Sequence, residues 1–380
     1  MRRVMVAILA GLLAGGTATV IVRSAGGSPG PETIGRVLSS PPARRGPVLP
    51  TTAPGPVRAR RTHARSTGPL VLAGCPPPTR PPGPPGPPPW HPSVLVPNSA
   101  LPAVTAPHPW RTNIGAITGK GMWVWEFDRT EGGNAQAIVT NAVQAGLRQL
   151  WVRVGSSKDG FYGAGELGAL LAPAHAAGLS VIGWGFPYLY DPVGDARWTA
   201  QALNWRGPRG ERLDGFSADI EKSTEGVALS KRRVGVYLAA VRKVAGDRLV
   251  VATVYRPTDE NWDTGAYPYR TMARYVDAFA PMVYWGCDDP RTTALQAVQR
   301  LATLRPVHLI GQAYNMAAEG GRTAPPSPRE ITLFLDVGRE HGAVGASFWD
   351  WQEITTREWN AMATFDWPDP SARPAPVAEP

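Results

Sequence analysis

Between residues 114 and 368 short apolar runs alternate with stretches that carry Ala and Leu at three- and four-residue spacing. The apolar runs predict eight strands, at 122–125, 149–154, 180–184, 215–220, 249–255, 279–284, 308–312 and 344–349. The periodic stretches between them predict helices at 135–145, 167–177, 196–203, 230–244, 292–304 and 328–341. The strands read as near-continuous hydrophobic runs, as strands covered on both faces do. Strand then helix, eight times over about 250 residues, predicts an α/β fold of the (β/α)8 TIM-barrel type. A doubly wound open sheet is the alternative, but no Gly-rich phosphate loop follows the first strand.

The rest of the chain has a different texture. Residues 4–22 are uncharged and mostly apolar behind Arg2 and Arg3, about 28 Å as a helix. Residues 1–23 are therefore read as a signal peptide or an N-terminal membrane anchor, with the remainder exported. Residues 24–113 hold 24 of the 41 prolines and no sustained hydrophobic period. That stretch is expected to be a disordered Pro/Arg/Gly-rich linker, extended in polyproline II conformations. Residues 369–380 are a Pro-rich tail.

Charge follows the same division. The formal net of +9 is +3 in residues 1–23, +8 in 24–113 and −2 in 114–380, so the barrel region is nearly neutral. A basic chain raises the question of nucleic acid, but here the basic residues belong to leader and linker, and no nucleic-acid partner is expected. Lys231, Arg232 and Arg233 open a predicted helix and are read as a solvated face. Leu72-Ala73-Gly74-Cys75 resembles a lipobox but lies far from the N-terminus, and Cys75 is read as an incidental linker cysteine. With its only possible partner there, Cys287 is expected to stay outside any structural disulfide.

In a barrel of this kind chemistry belongs to the C-terminal ends of the strands. Those positions carry Trp125 and Glu126, Arg153, Trp184 and Tyr188, Asp219 and Glu221, Tyr255, Tyr284 and Trp285, Gln312, and Trp349 and Asp350. Aromatic rings beside carboxylates suit sugars: a pyranose stacks its C–H face on Trp or Tyr and offers hydroxyls at its edge. A tryptophan at such a position serves equally well as barrel core. The sharpest motif is DGFSADIE, residues 214–221. Asp219 and Glu221 are two apart, which on a strand puts both on one face, about 6.7 Å apart along the chain. Paired carboxylates repel, so one keeps its proton while the other ionises, the division of labour that glycoside hydrolysis requires. Asp214 is expected as a turn or supporting residue ahead of the strand and counts with the substrate-binding candidates. No HExxH motif occurs, the six histidines are scattered, and neither metal nor cofactor is expected.

DGFSADIE resembles the DxxDxDxE signature of glycoside hydrolase family 18, the chitinase-like barrels. PMVYW at 281–285 is similar to that family's tyrosine motif, and GASFWDW at 345–351 to its final-strand tryptophan. The resemblance covers residues 114–368. It implies Glu221 as acid/base and Asp219 as partner of a substrate acetamide that itself attacks the anomeric carbon. It further implies Tyr284 on the acetamide oxygen and Trp349 as the floor under the cleaved sugar. Ser217 stands where the signature has its middle Asp, and Trp285 where an acid often follows the tyrosine. The lysozyme-type barrels of family 25 are also similar in placing an Asp-x-Glu pair on an inner strand. The shared expectation is a monomeric, retaining glycosidase outside the membrane, acting on an N-acetylhexosamine polymer such as peptidoglycan or a chitin-like glycan. Residues 4–22 would hold it at the membrane if uncleaved. The competing expectations are a carbohydrate-binding barrel of the cell envelope with little or no hydrolysis, and a wall-spanning scaffold. Arg153 reads equally as a contact to a substrate carboxylate, such as that of muramic acid, and as a structural partner of the strand-end acids.

Overall fold

The computed structural model describes residues 72–75, 94–107, 109–110, 114–319 and 321–368. The predicted leader, most of the predicted linker and the tail at 369–380 lie outside the described residues. Nine strands form one sheet: β1 Gly119–Val124, β2 Gln149–Ser156, β3 Gly160–Phe161, β4 Ser180–Phe186, β5 Gly215–Asp219, β6 Leu249–Tyr255, β7 Ala278–Val283, β8 His308–Gln312 and β9 Gly345–Trp349. Eight are parallel neighbours in chain order, and β1 pairs with both β2 and β9, which closes the barrel. The ninth, β3, is a two-residue antiparallel return on β2 that the hydrophobic pattern is too short to announce.

The helices are α1 Ala135–Gln144, α2 Ala164–Ala176, α3 Pro192–Asn204, α4 Lys231–Ala245, α5 Asp259–Asp263, α6 Tyr269–Met272, α7 Pro290–Leu301, α8 Pro328–Glu340 and α9 Thr356–Thr364. Their starts are chemically marked. Asp191 and Asp289 cap the first turns of α3 and α7 just ahead of a proline, and Ser327 with Glu330 and Thr355 with Glu358 form capping boxes on α8 and α9. Each such cap is worth about 1 kcal/mol.

Alternation along the strands splits the core in two. Met122, Val124, Leu150, Val152 and Val154 face the helices, whereas Trp123, Trp151, Trp184, Val251, Ala280 and Ile310 fill the barrel interior. Trp123 stacks on Trp151 with centroids 4.8 Å apart and planes 12° apart. Indoles that large need room elsewhere in the layers. Gly155 and Gly185 supply it outside the barrel, where an added Cβ would come within 2.8 Å and 2.6 Å of the Trp198 ring.

The N-terminal end of the barrel is closed by satisfied charge. Lys120 is buried, and its ammonium donates to the carbonyls of Ala145, Met362, Ala363 and Phe365 at 2.8–3.0 Å, tying the end of α9 to β1. Burial lowers its pKa to about 8. Arg242 pairs with Asp277 at 2.6 Å, and that carboxylate also accepts from the Val250 amide. His308, whose pKa burial lowers to about 4, contacts the Ile117 carbonyl through Nδ1 and the Ser347 hydroxyl through Nε2; that hydroxyl also accepts from the Trp123 indole.

The predicted linker is not wholly separate from the barrel. The Val96 amide donates to the Tyr190 carbonyl, and Leu101 is buried. The Thr105 carbonyl accepts from the Tyr275 hydroxyl, and the Trp110 indole, which donates to Asp277, lies under the Arg242 guanidinium at 4.3 Å. This overturns, at Arg233, the reading of Lys231–Arg233 as a solvated face, while Lys231 and Arg232 are exposed. Arg233 is buried and donates to the carbonyls of Leu189, Tyr190 and Val96, while Arg232 donates to that of Leu101. Nor do the cysteines stay apart: Cys75 and Cys287 form a disulfide with Cα atoms 5.7 Å apart. What brings Cys75 there is Arg322, buried against Glu330, whose Nε donates to the Ala73 carbonyl while the Thr323 amide donates to that of Gly74. The disulfide leaves no Cys75 thiol for acylation.

Candidate active site

The fourth barrel strand, β5, carries Ser217 and Asp219 on its inward face, and Glu221 follows just beyond its end. The turn between the two acids is held by the buried Tyr267, whose hydroxyl donates to the Ile220 carbonyl, and by the Ile220 amide bonded to the Thr253 carbonyl. Asp219 is 8% exposed and Glu221 7%. One oxygen of each, Oδ1 of Asp219 and Oε2 of Glu221, is buried with no hydrogen-bond partner among the described residues. Burial pushes the Asp219 carboxyl up to about 7, against the pull of the Arg153 charge. Glu221 is driven well above the usual carboxylate range, first by burial and then by the charges of Asp219 and Glu225. Such a pair retains a proton at neutral pH.

The surroundings complete the arrangement. Tyr255 hydrogen-bonds Glu221, its hydroxyl lies 3.4 Å from Glu225, and Lys222 sits 4.4 Å over its ring. Tyr269 holds the Tyr255 carbonyl at 2.9 Å. Tyr284 stands edge-on to Tyr314 at 5.7 Å, its hydroxyl raised well above its ordinary pKa chiefly by burial, with contributions from the charges of Tyr314, Asp219 and Glu221. Arg153 lies over the Trp184 ring at 5.5 Å. Ser217, where the resembled signature has an acid, bonds the Thr253 hydroxyl at 2.8 Å.

The tryptophans sort by depth. Trp123, Trp151 and Trp184 are buried, and half-buried Trp349 lies on them, 5.3 Å from Trp184 and 6.1 Å from Trp125. Trp184, expected to touch substrate, is thus the layer beneath the floor. Asp350 is buried beside Trp349, its Oδ1 accepting from the Glu353 amide, and burial with the nearby Glu353 raises its carboxyl to about 7. Glu126 is engaged by Arg129 at 2.5 Å.

Four further expected contacts have other uses. Asp214 lies at the opposite end of the barrel, accepting from the Val181 amide at 2.7 Å and facing His175 at 2.9 Å; it precedes the strand, so it cannot share the mouth with Asp219. Trp285 points outward into the helix layer, its indole on Glu330 at 3.0 Å and its ring 5.3 Å from Phe334, because it alternates with Tyr284. Gln312 is fully buried and spends both ends of its amide on backbone, accepting from Gly286 and donating to Tyr314. Tyr188 is 3% exposed and packs on Phe186, though the charges of Arg153 and Glu221 act on its hydroxyl. Tyr267, Tyr269, Lys222 and Glu225 were not anticipated; the Tyr267-Pro268-Tyr269 sequence after the fifth predicted strand is the one signal for the two tyrosines.

Fold and site define a closed (β/α)8 barrel with a buried carboxyl pair and aromatic side chains at its C-terminal mouth. No family model and no curated protein matches the sequence. Among solved structures the chain is similar to the C-terminal domain of a putative chitinase from Desulfitobacterium hafniense, with 11% identity, a TM-score of 0.50, and coverage of 65% of this chain and 99% of that one. It is also similar to a class V chitinase from Pseudomonas fluorescens (12% identity, TM-score 0.47, 64% and 98% covered). A third is the spore cortex-lytic enzyme of Bacillus cereus (11%, 0.47, 67% and 74%). At these identities the likeness is one of fold.

Proposed function

We propose that the chain is an extracytoplasmic glycoside hydrolase acting on an N-acetylhexosamine polysaccharide, peptidoglycan or chitin-like, with retention at the anomeric carbon. The observation that carries this reading is the Asp219–Glu221 pair: two carboxyls buried at the mouth, each with an oxygen that no described residue satisfies. Unsatisfied buried polar atoms are costly, and are retained where a ligand completes them. The fold likeness to the putative chitinase domain supports the same class. A disulfide supports an oxidising compartment, as export through residues 4–22 requires.

Each residue has a task in this mechanism. Protonated Glu221 donates to the glycosidic oxygen as the bond from that oxygen to the anomeric carbon breaks. The carbonyl oxygen of the sugar's own acetamide forms the new bond to that carbon, giving an oxazolinium ion whose N–H is held by ionised Asp219. Glu221, now a carboxylate, takes a proton from the water that reopens the ring. Tyr284 donates to the acetamide oxygen and orients it, and Trp349 stacks under the sugar.

A second reading, a barrel that binds glycans with little hydrolysis, is favoured by Ser217, whose hydroxyl goes to Thr253 and offers Asp219 no carboxyl relay. Release of reducing ends from peptidoglycan and chitin oligosaccharides by the full chain, beside Glu221→Gln, separates the two. Release by the wild type alone supports the hydrolase. Binding by both proteins without release supports the second reading, and Ser217→Asp is then expected to raise turnover.

A further inference from the structure

We infer that Arg153 makes this mouth selective for a sugar that carries a free carboxylate, which the guanidinium receives. The inference rests on the glycosidase reading for the location of the sugar, and goes beyond it in naming the charge of the substrate. Arg153 follows Trp151 on the inward face of β2, just before the irregularity at which the β2–β4 register shifts. Among the described residues no group accepts a hydrogen bond from it, and its Nε is buried without a partner. Its neighbour is the Trp184 ring, and a guanidinium over an indole keeps its edge donors available to a ligand.

The fully buried arginines behave differently. Arg233 donates to three carbonyls, Arg242 to Asp277 and Arg322 to Glu330. Arg153 is half-buried, and its Nε is the buried donor of a cation at the mouth that no hydrogen-bonded partner among the described residues takes up. Asp219 is the acid its charge acts on, and burial raises that carboxyl to about 7, so at neutral pH the compensation is partial. The Tyr162 and Tyr188 hydroxyls also face it and carry no charge there. Lys222, the other cation beside the pair, already has the charges of Glu260, Glu221 and Glu225 around it. Arg153 is therefore the group for a planar anion, which a guanidinium fork binds in bidentate fashion.

Among the sugars that present that group are a uronic acid and a hexosamine bearing a lactyl ether, the two that the test compares. In intact peptidoglycan the lactyl carboxyl is amidated by peptide, so the second becomes a substrate only after an amide hydrolysis has freed it.

The test uses the full-length Glu221→Gln protein, so that binding is read without turnover. The probes are an N-acetylglucosamine oligomer, the same length alternating with N-acetylmuramic acid, one alternating with glucuronic acid, and both acidic oligomers with their carboxyls reduced to alcohols. An acidic oligomer is expected to bind at least about tenfold more tightly than its reduced form. Adding Arg153→Gln should abolish that difference, and Arg153→Lys should restore part of it. Which acidic oligomer wins identifies the source. Equal affinity for acidic and reduced oligomers overturns the inference, as does an equal loss on all probes in Arg153→Gln. In the wild type, Arg153→Gln with an upward move of the acidic limb of the pH–rate profile and no change in acid preference would make Arg153 a positioning residue for Asp219. Hydrolysis of every probe failing while the acid preference stands would remove the glycosidase reading and leave this one.

Discussion

The two ends of the barrel handle buried charge in opposite ways. At the N-terminal end Lys120 meets four carbonyls, Arg242 meets Asp277, and His308 is held by a carbonyl and a hydroxyl. At the C-terminal mouth Asp219 and Glu221 are buried and Arg153 half-buried, yet among the described residues each keeps a buried atom without a partner. The same low-dielectric interior that makes satisfied networks stabilising makes unsatisfied ones costly. The lower end is thus a satisfied network, while the mouth carries buried polar atoms left open among the described residues, as the proposed glycan site requires.

The sharpest break in this contrast is Glu221→Gln, which is expected to lower hydrolysis by about a thousandfold with the fold intact, since the amide has no proton of suitable acidity to donate. Circular dichroism beside a reducing-end assay checks both halves. Next comes the Cys75–Cys287 disulfide, which fastens residues 72–75 to the segment just after Tyr284. Its reduction, or Cys75→Ser with Cys287→Ser, should cost about 2–4 kcal/mol, seen as a lower Tm in reductant.

Lys120→Met strips four carbonyls of their donor and should cost about 2–3 kcal/mol in denaturant titration, with activity per folded molecule unchanged. The smallest effect has the opposite sign. The native Asp219 carboxyl titrates at about 7 against an ordinary value of 3.8. Below about pH 4 both folded and unfolded states are protonated; as pH rises through 7 the folded state must ionise a buried acid, and stability is lost. Asp219→Asn should therefore stabilise the protein by about 1–2 kcal/mol at pH 8 and by almost nothing at pH 4, while removing activity. An equal gain at both pH values would mean that Asp219 is not a source of the strain.

Much of this was legible in the chain. The strands predicted at 249–255 and 308–312 coincide with β6 and β8, and the others agree to within a few residues, because a buried parallel strand is a short apolar run whatever its neighbours. Asp219, Glu221, Tyr255 and Tyr284 meet at the mouth as their strand-end positions implied. The errors were of two kinds. Trp285 and Asp214 were placed by proximity to a motif, when alternation and strand polarity send one into the helix layer and the other to the far end. Gln312 and Trp184 were placed at the correct end but serve the backbone and the floor.

By itself, the sequence determined the barrel and the strand end that carries the acid pair, because period, polarity and two-residue spacing are local properties of a chain. Tertiary structure alone decided that Cys75 reaches Cys287 across 212 residues, that Arg233 is buried under residues 96–101, and that among the described residues the Arg153 Nε has no acceptor while the Lys120 ammonium has four. Those depend on which groups meet in space after the ring has closed. A partner, or the lack of one, is a property of the neighbourhood and leaves no mark on the residue itself.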